Sequence, residues 1–265
     1  MTDAKRLDNP HPRRTIAGLV CGALLVGAAA ETLVLSDQLA RHAAVRDWAL
    51  YLHVGVQIVA GLAMLGWWAL ARHGAHRVTL WAILFVGLAM RALMLPSTPV
   101  LEDDFYRFQW DGAVTAAGMN PYRVAPADAA ADEALAGLAA ESGHTLDRVN
   151  HPQLRSIYPP VAHGVFAAAA AIDPFGVMGL RLVLISFDVA TAGLLLLLLR
   201  RLHLPRQWVM LWWVNPLVMT QVANGMHMDA VVSALVVAGL LAAVTHRRLA
   251  GAAALALATG AKVWP

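Results

Sequence analysis

An all-α fold, a polytopic transmembrane helical bundle, is what this sequence predicts, and three observations carry the prediction. Hydrophobic residues fill 59% of the 265 positions and charged ones only 14%, against about 45–50% and about 25% in ordinary soluble domains. A chain of this length folded in water would still expose much of its surface, and there is too little charge here to coat it. The apolar residues also come in long blocks rather than one-sided helical stripes. These figures exclude collagen-like, disordered, disulfide-rich and nucleic-acid-binding classes. The single cysteine, Cys21, sits inside the first apolar block, so no disulfide framework can form.

A membrane span needs about 20 mostly apolar residues. Seven such blocks lie at 14–35, 48–71, 78–96, 177–199, 207–224, 229–246 and 249–265. The first follows Arg13-Arg14 and contains Ala28-Ala29-Ala30, as a signal peptide would. Apolar sequence continues through Thr32-Leu33-Val34-Leu35, which predicts an uncleaved first helix. An eighth block, 157–172, is short and alanine-rich, opens on Ile157-Tyr158-Pro159-Pro160 and ends at Asp173-Pro174. It reads as a helix lying on the outer interface. Lys5, Arg6, Arg13 and Arg14 place the N-terminus in the cytoplasm, with Arg72 and Arg77 also inside. Residues from about 96 to 156 then lie outside, and Arg200, Arg201, Arg206, Arg247 and Arg248 fall inside. Three regions follow: a tail and three spans over 1–96, an extracytoplasmic loop with the interfacial helix over 97–176, and four further spans over 177–265. The sequence stops at Lys262-Val263-Trp264-Pro265, at the outer end of a helix, which reads as a truncated chain or as half of an assembly completed by a partner subunit.

The chemistry concentrates in the outer loop, which holds nine of the seventeen acidic residues. Directly after the third span runs Leu101-Glu102-Asp103-Asp104-Phe105-Tyr106-Arg107-Phe108-Gln109-Trp110-Asp111-Gly112. Carboxylates interleaved with aromatics at a helix end are the composition of a half-buried interfacial site rather than of a solvated loop. Gly118-Met119-Asn120-Pro121-Tyr122 supplies a turn, and Tyr158-Pro159-Pro160 returns the chain to the membrane surface.

The order Asp103-Asp104, Tyr106-Arg107-Phe108-Gln109-Trp110-Asp111-Gly112, Gly118-Met119-Asn120-Pro121-Tyr122 and Tyr158-Pro159-Pro160 resembles the GT-C membrane glycosyltransferases that use polyprenyl-phosphate sugars, especially bacterial mannosyltransferase-like members. Arg181, Asp188, Asn215-Pro216-Leu217, His227-Met228-Asp229 and Ala261-Lys262-Val263-Trp264-Pro265 are similar to further family landmarks. The resemblance runs over roughly 91–265 and leaves the first two spans outside it. It implies transfer of a sugar, mannose first among candidates, from a polyprenyl-phosphate carrier to a glycan or glycolipid acceptor on the outer face of a bacterial inner membrane. Inversion needs one base to take the acceptor proton, and no second carboxylic acid when a phosphate leaves. The family spacing to Arg107 and Asp111 puts that base at Asp104, with Asp103 next in line. Substrate contacts are expected from Arg107, Asp111, Asn120, Tyr122, Tyr158, His227, Asp229 and Lys262. Lys262 would meet the departing phosphate, although a lysine at a helix end can simply snorkel. Arg107 would serve the same charge or pair with an acidic neighbour.

Asp103, Asp104 and Asp111 would also suit a divalent cation, the one cofactor the sequence leaves open. His144, His151 and His163 lack zinc spacing, and no Walker loop or dinucleotide motif occurs, so a nucleotide-sugar donor is not supported. Asp188 lies mid-span, where a bare charge costs about 2.5–3.5 kcal/mol on insertion scales, and is expected to be paired or protonated in a packing role. Arg91, late in the third span, is expected to face the outer headgroups or to brace the acidic loop. Two other classes compete: a transporter or lipid flippase, which would need ionisable residues along a path at the bilayer midplane, and a non-catalytic subunit.

Overall fold

The structure, a computed structural model, describes residues 12–41, 44, 46–72 and 77–263, all helix, turn and loop apart from one isolated bridge between Ala40 and Val100. The charges Lys5 and Arg6, the side chains of Arg13 and Arg77, and the terminal Trp264-Pro265 lie outside the described residues. In chain order the helices are α1 (Pro12–Leu35), α2 (Asp47–Ala71), α3 (Arg77–Met94), α4 (Phe105–Ala116), α5 (Ala136–Glu141), α6 (Pro160–Ile172), α7 (Val177–Arg201), the short α8 (Met210–Trp213) and α9 (Pro216–Val218), then α10 (Asp229–Val244) and α11 (Arg248–Ala261).

Helix length revises the expectation of seven spans. Arg14–Leu35, Asp47–Ala71 and Val177–Arg201 are long and apolar enough to cross a membrane. A fourth results only if Pro216–Asn224 and Asp229–Val244, bent by 118° at their junction, count as one broken span. The blocks at 78–96, 157–172 and 249–265 form the shorter apolar helices Thr79–Met94, Pro160–Ile172 and Arg248–Ala261. At 1.5 Å per residue the 13 residues of α6 rise about 20 Å, against a hydrocarbon core of about 30 Å. The block 207–224 yields only the short α8 and α9 and a π-helical stretch, because Pro216 interrupts it without any loss of apolar character.

The chain divides into two compact units, Met1–Val100 with Leu195–Gln221, and Leu101–Leu194 with Val222–Pro265. In the first unit, Gly18 and Gly22 stand one turn apart on α1 and both face Trp67 of α2. A Cβ on Gly18 would lie 2.9 Å from the indole Nε1. Small residues at such spacing let membrane helices approach closely. The same pair of helices shares polar contacts, His53 Nδ1 to Glu31 Oε2 at 3.1 Å and the Gln57 amide donating to Thr32 Oγ1 at 3.0 Å. Gly87 on α3 leaves room for Trp213, whose indole donates to the Leu84 carbonyl at 3.0 Å. Arg91 stacks on that ring at 4.0 Å and donates to the Gly87 and Trp213 carbonyls. It is buried to 2% exposure, which corrects its expected place at the headgroups: the guanidinium satisfies backbone carbonyls and an aromatic face inside the protein.

The second unit holds the acidic motif. Helix α4 lies against α6 so closely that a Cβ on Gly112 would stand 2.5 Å from the Phe166 carbonyl oxygen. Phe108 stacks on Phe166 at 4.6 Å, and Tyr158 meets both rings edge-on. Trp110 and Val114 of α4 bury with Ala129, Leu135 and Val149, so the loop 118–150 has a small core of its own built on the motif helix. Arg181 and Asp188 of α7 are buried to 1% and 0% exposure. Arg181 donates to the Asn224 carbonyl at 3.4 Å, and Asp188 takes part in a polar interaction, the interior role its position in the sequence implied.

Candidate active site

The N-terminus of α4 gathers three consecutive carboxylates, and the local chain fixes each differently. Leu101 takes a left-handed backbone, φ 53°, which folds Glu102 back so that its Oε1 accepts the amides of Asp103 and Asp104 at 3.1 and 3.0 Å. Its Oε2 lies 2.8 Å from His227 Nε2. Asp103 is buried and accepts from the Asn150 amide at 2.5 Å. Asp104 is exposed, at the N-cap of α4, and among the described residues its side chain makes a long 3.5 Å contact to Asn150. His151, after Asn150, and Met226, before His227, also adopt left-handed backbone at φ 51° and 59°. Such strain in non-glycine residues persists where the surroundings enforce it, and here it borders three site residues.

Helix α10 brings its first turn to the same place. The six residues before the Gly225 turn, Met219–Asn224, wind as π-helix, a form that recurs at functional sites. Asp229 pairs with Lys262 at 2.9 and 3.0 Å. Both side chains are about half exposed, so this pair contributes at most about 1 kcal/mol of stability. Burial alone would raise the Glu102 carboxyl, but the His227 hydrogen bond and charge, with the two amides, bring it below the ordinary carboxylate range. The same bond lifts His227 above the ordinary imidazole value, against the effect of burial.

A second layer lies beneath. Arg107 Nε stands 3.2 and 3.3 Å from the two Asp111 oxygens, one helical turn away, and its Nη2 donates to the Leu154 carbonyl at 2.8 Å. The Ser156 hydroxyl donates to Asp111 Oδ2 at 2.5 Å and lies 3.1 Å from His163 Nε2. One hydroxyl carries one proton, so with that proton on Asp111 the nitrogen facing Ser156 must be the protonated one. Burial raises Asp111 above the ordinary aspartate value despite Arg107, Ser156 and His163. Burial also lowers His163, against the attraction of Asp111. The Tyr122 hydroxyl donates to the Tyr158 carbonyl at 2.6 Å, and the Tyr158 phenol is pushed upward by burial and then by the carboxylates of Asp104 and Asp111. That phenol therefore keeps its proton and can donate.

The expected site residues thus separate. Asp103, Asp104, His227, Asp229 and Lys262 share the α4–α10 end, close enough for the Asp104 charge to act on the Tyr158 phenol, whereas Arg107 and Asp111 are buried against each other. Asn120 accepts the Tyr122 amide at 2.9 Å and shapes a turn. Sequence reading passed over Glu102, Asn150, Ser156 and His163. Glu102 stood in plain view within the acidic run; the other three carry no local signal, since each acts through a partner 7 to 47 positions away. For a hard cation, Glu102, Asp103 and Asp104 offer oxygens within 4.8 Å of one another. Glu102 already accepts from His227 and two amides and Asp103 from Asn150, so an ion there would share oxygens that also hold these hydrogen bonds.

No curated protein and no solved structure matches the chain. A model of a protein family, described as alpha-(1->6)-mannopyranosyltransferase, N-terminal domain, matches residues 15–265 and takes in the first two helices, which the motif resemblance had left outside. The chain belongs to that family of mannosyltransferases and is a glycosyltransferase.

Proposed function

We propose that this protein is a GT-C mannosyltransferase of a bacterial inner membrane that moves mannose from a polyprenyl-phosphate carrier to a glycan acceptor, with its N-terminus cytoplasmic and loop 97–156 outside. The observation that carries the reading is the exposed Asp104 at the α4 N-cap, beside a buried neighbour held by Asn150. Asp104 takes the proton of the acceptor hydroxyl as that oxygen attacks the anomeric carbon. The carbon–oxygen bond to phosphate breaks, and the phosphate leaves with its electron pair. Inversion yielding the alpha-(1->6) linkage of the family name requires a β-linked donor and an acceptor 6-hydroxyl. Lys262 and protonated His227 supply cations to the leaving phosphate, which must exchange with Asp229 and Glu102 for them. Tyr158 donates to a substrate oxygen near Asp104. Arg107 and Asp111 hold α4 in place and touch no substrate.

A transporter reading gains little support, because the buried charges Arg181 and Asp188 engage partners within the protein. The deciding experiment is Asp104→Asn in membranes supplied with radiolabelled polyprenyl-phosphate mannose. Loss of a general base lowers transfer about 10²–10⁴-fold at unchanged protein abundance. Normal transfer by this variant removes the proposed base.

A further inference from the structure

Outside the acidic motif, the loop 118–155 borders an open cleft of about 340 Å³ lined by Arg123, Val124, Ala125, Asp128, Asp132 and Arg155. Small-molecule clefts begin at about 300 Å³. Its walls are built. Arg123 Nη2 pairs with Asp132 Oδ1 at 2.6 Å, that oxygen also accepts the Ala134 amide at 3.1 Å, and the Ala127 amide donates to the Pro152 carbonyl at 2.9 Å, tying the two lips. Asp128 and Arg155 are exposed and make no ion pair among the described residues.

We propose that this cleft is a subsite for a neutral polyhydroxyl chain, the outlying sugars of a glycan acceptor, an assignment that rests on the transferase reading above. Two guanidinium groups and two carboxylates line it, and their charges cancel. An anionic ligand drawn to Arg123 and Arg155 meets Asp128 and Asp132; a cation meets the reverse. A sugar meets neither penalty, because each hydroxyl donates and accepts. Neighbouring hydroxyls bridge the two oxygens of a carboxylate or the fork of a guanidinium. The small apolar side chains of Val124 and Ala125 complete a wall for the C–H face of a pyranose.

The cleft also continues the site in sequence. Arg155 sits between Leu154, whose carbonyl holds Arg107, and Ser156, whose hydroxyl holds Asp111. Arg123 follows Tyr122, which holds the Tyr158 carbonyl. A sugar chain bound here is therefore anchored on the segments that brace the motif helix.

The test measures binding to the full chain in lipid nanodiscs, with an α-1,6-linked mannotetraose, mannose, and a sulfated tetrasaccharide as probes. The wild type is expected to prefer mannotetraose to both others. Asp128→Ala and Arg155→Ala each weaken mannotetraose binding about tenfold, the size of one charge-assisted hydrogen bond, and leave transfer to a monosaccharide acceptor unchanged. Asp104→Asn keeps mannotetraose affinity. Unaltered affinity in both cleft variants, or preference for the sulfated chain, overturns the subsite. Normal transfer by Asp104→Asn together with weakened binding in the cleft variants overturns the proposed base and leaves the subsite standing.

Discussion

Replacing Arg107 with methionine keeps most of the side-chain volume and strands the Asp111 carboxylate, which is 1% exposed. Removing one member of a buried ion pair typically costs about 3–5 kcal/mol, because the survivor keeps its desolvation and loses its partner. Protonation limits the damage: an ordinary aspartate lies about three pH units below neutrality, and at about 1.4 kcal/mol per unit neutralising Asp111 at pH 7 costs at most about 4 kcal/mol. Burial already holds Asp111 above its ordinary value, so the expected loss is about 3 kcal/mol. The pH dependence carries the sign. In Arg107→Met the folded-state value of Asp111 rises further above its unfolded value, so the neutral form is accommodated in acid and the penalty grows as pH rises. Thermal unfolding in detergent, followed from pH 4 to 8, should show the variant nearing the wild type at low pH and falling behind above it. Arg107→Met/Asp111→Leu should recover most of the loss. A penalty independent of pH, or a double variant as unstable as the single one, would refute the buried-brace account.

Two further outcomes follow from the same contacts. The Glu102–His227 pair adds stability on the acid side while Glu102 stays ionised, down to its lowered value, and on the basic side until pH passes the raised value of His227. With the two side chains 18% and 33% exposed, the contribution is about 1 kcal/mol. The wild type should therefore exceed Glu102→Gln in unfolding midpoint near pH 6 and lose that lead by pH 9; an equal lead at both values counts against the charged pair. Gly112→Ala puts a methyl group into the Phe166 carbonyl and should cost about 1–3 kcal/mol, whereas Gly164→Ala, with open space around it, should be neutral or slightly stabilising. Equal midpoints for the two variants would show that α4 and α6 are not packed as described.

The strained residues at the site bear on how the enzyme is assembled. Of the six non-glycine residues with positive φ among the described residues, His203 and His246 close helices α7 and α10 and Phe175 follows α6, ordinary places for a left-handed turn. Leu101, His151 and Met226 instead adjoin Glu102, Asn150 and His227. Each reverses the backbone where a polar side chain must point toward α4. Three segments far apart in sequence thereby converge on one short acidic run.

Composition and apolar blocks were enough to establish a helical membrane protein, because burying apolar residues in lipid depends on amounts and run lengths that a sequence states directly. The acidic run, the order of its motifs and the likeness to mannosyltransferases were legible too, since these are local in the chain. The number of full spans was not: Pro216 divides the apolar block 207–224 into short helices, and hydropathy is blind to direction. The sequence offered Arg107 an acidic neighbour as partner without saying which, and it could not tell that Glu102 belongs with His227 across 125 positions, or that Asn150 holds Asp103 and leaves Asp104 open. Whether a charge faces substrate or partner is decided by which side chains the packing of α4 on α6 brings within about 3 Å, the range over which a hydrogen bond forms, and that proximity exists only once the chain has folded.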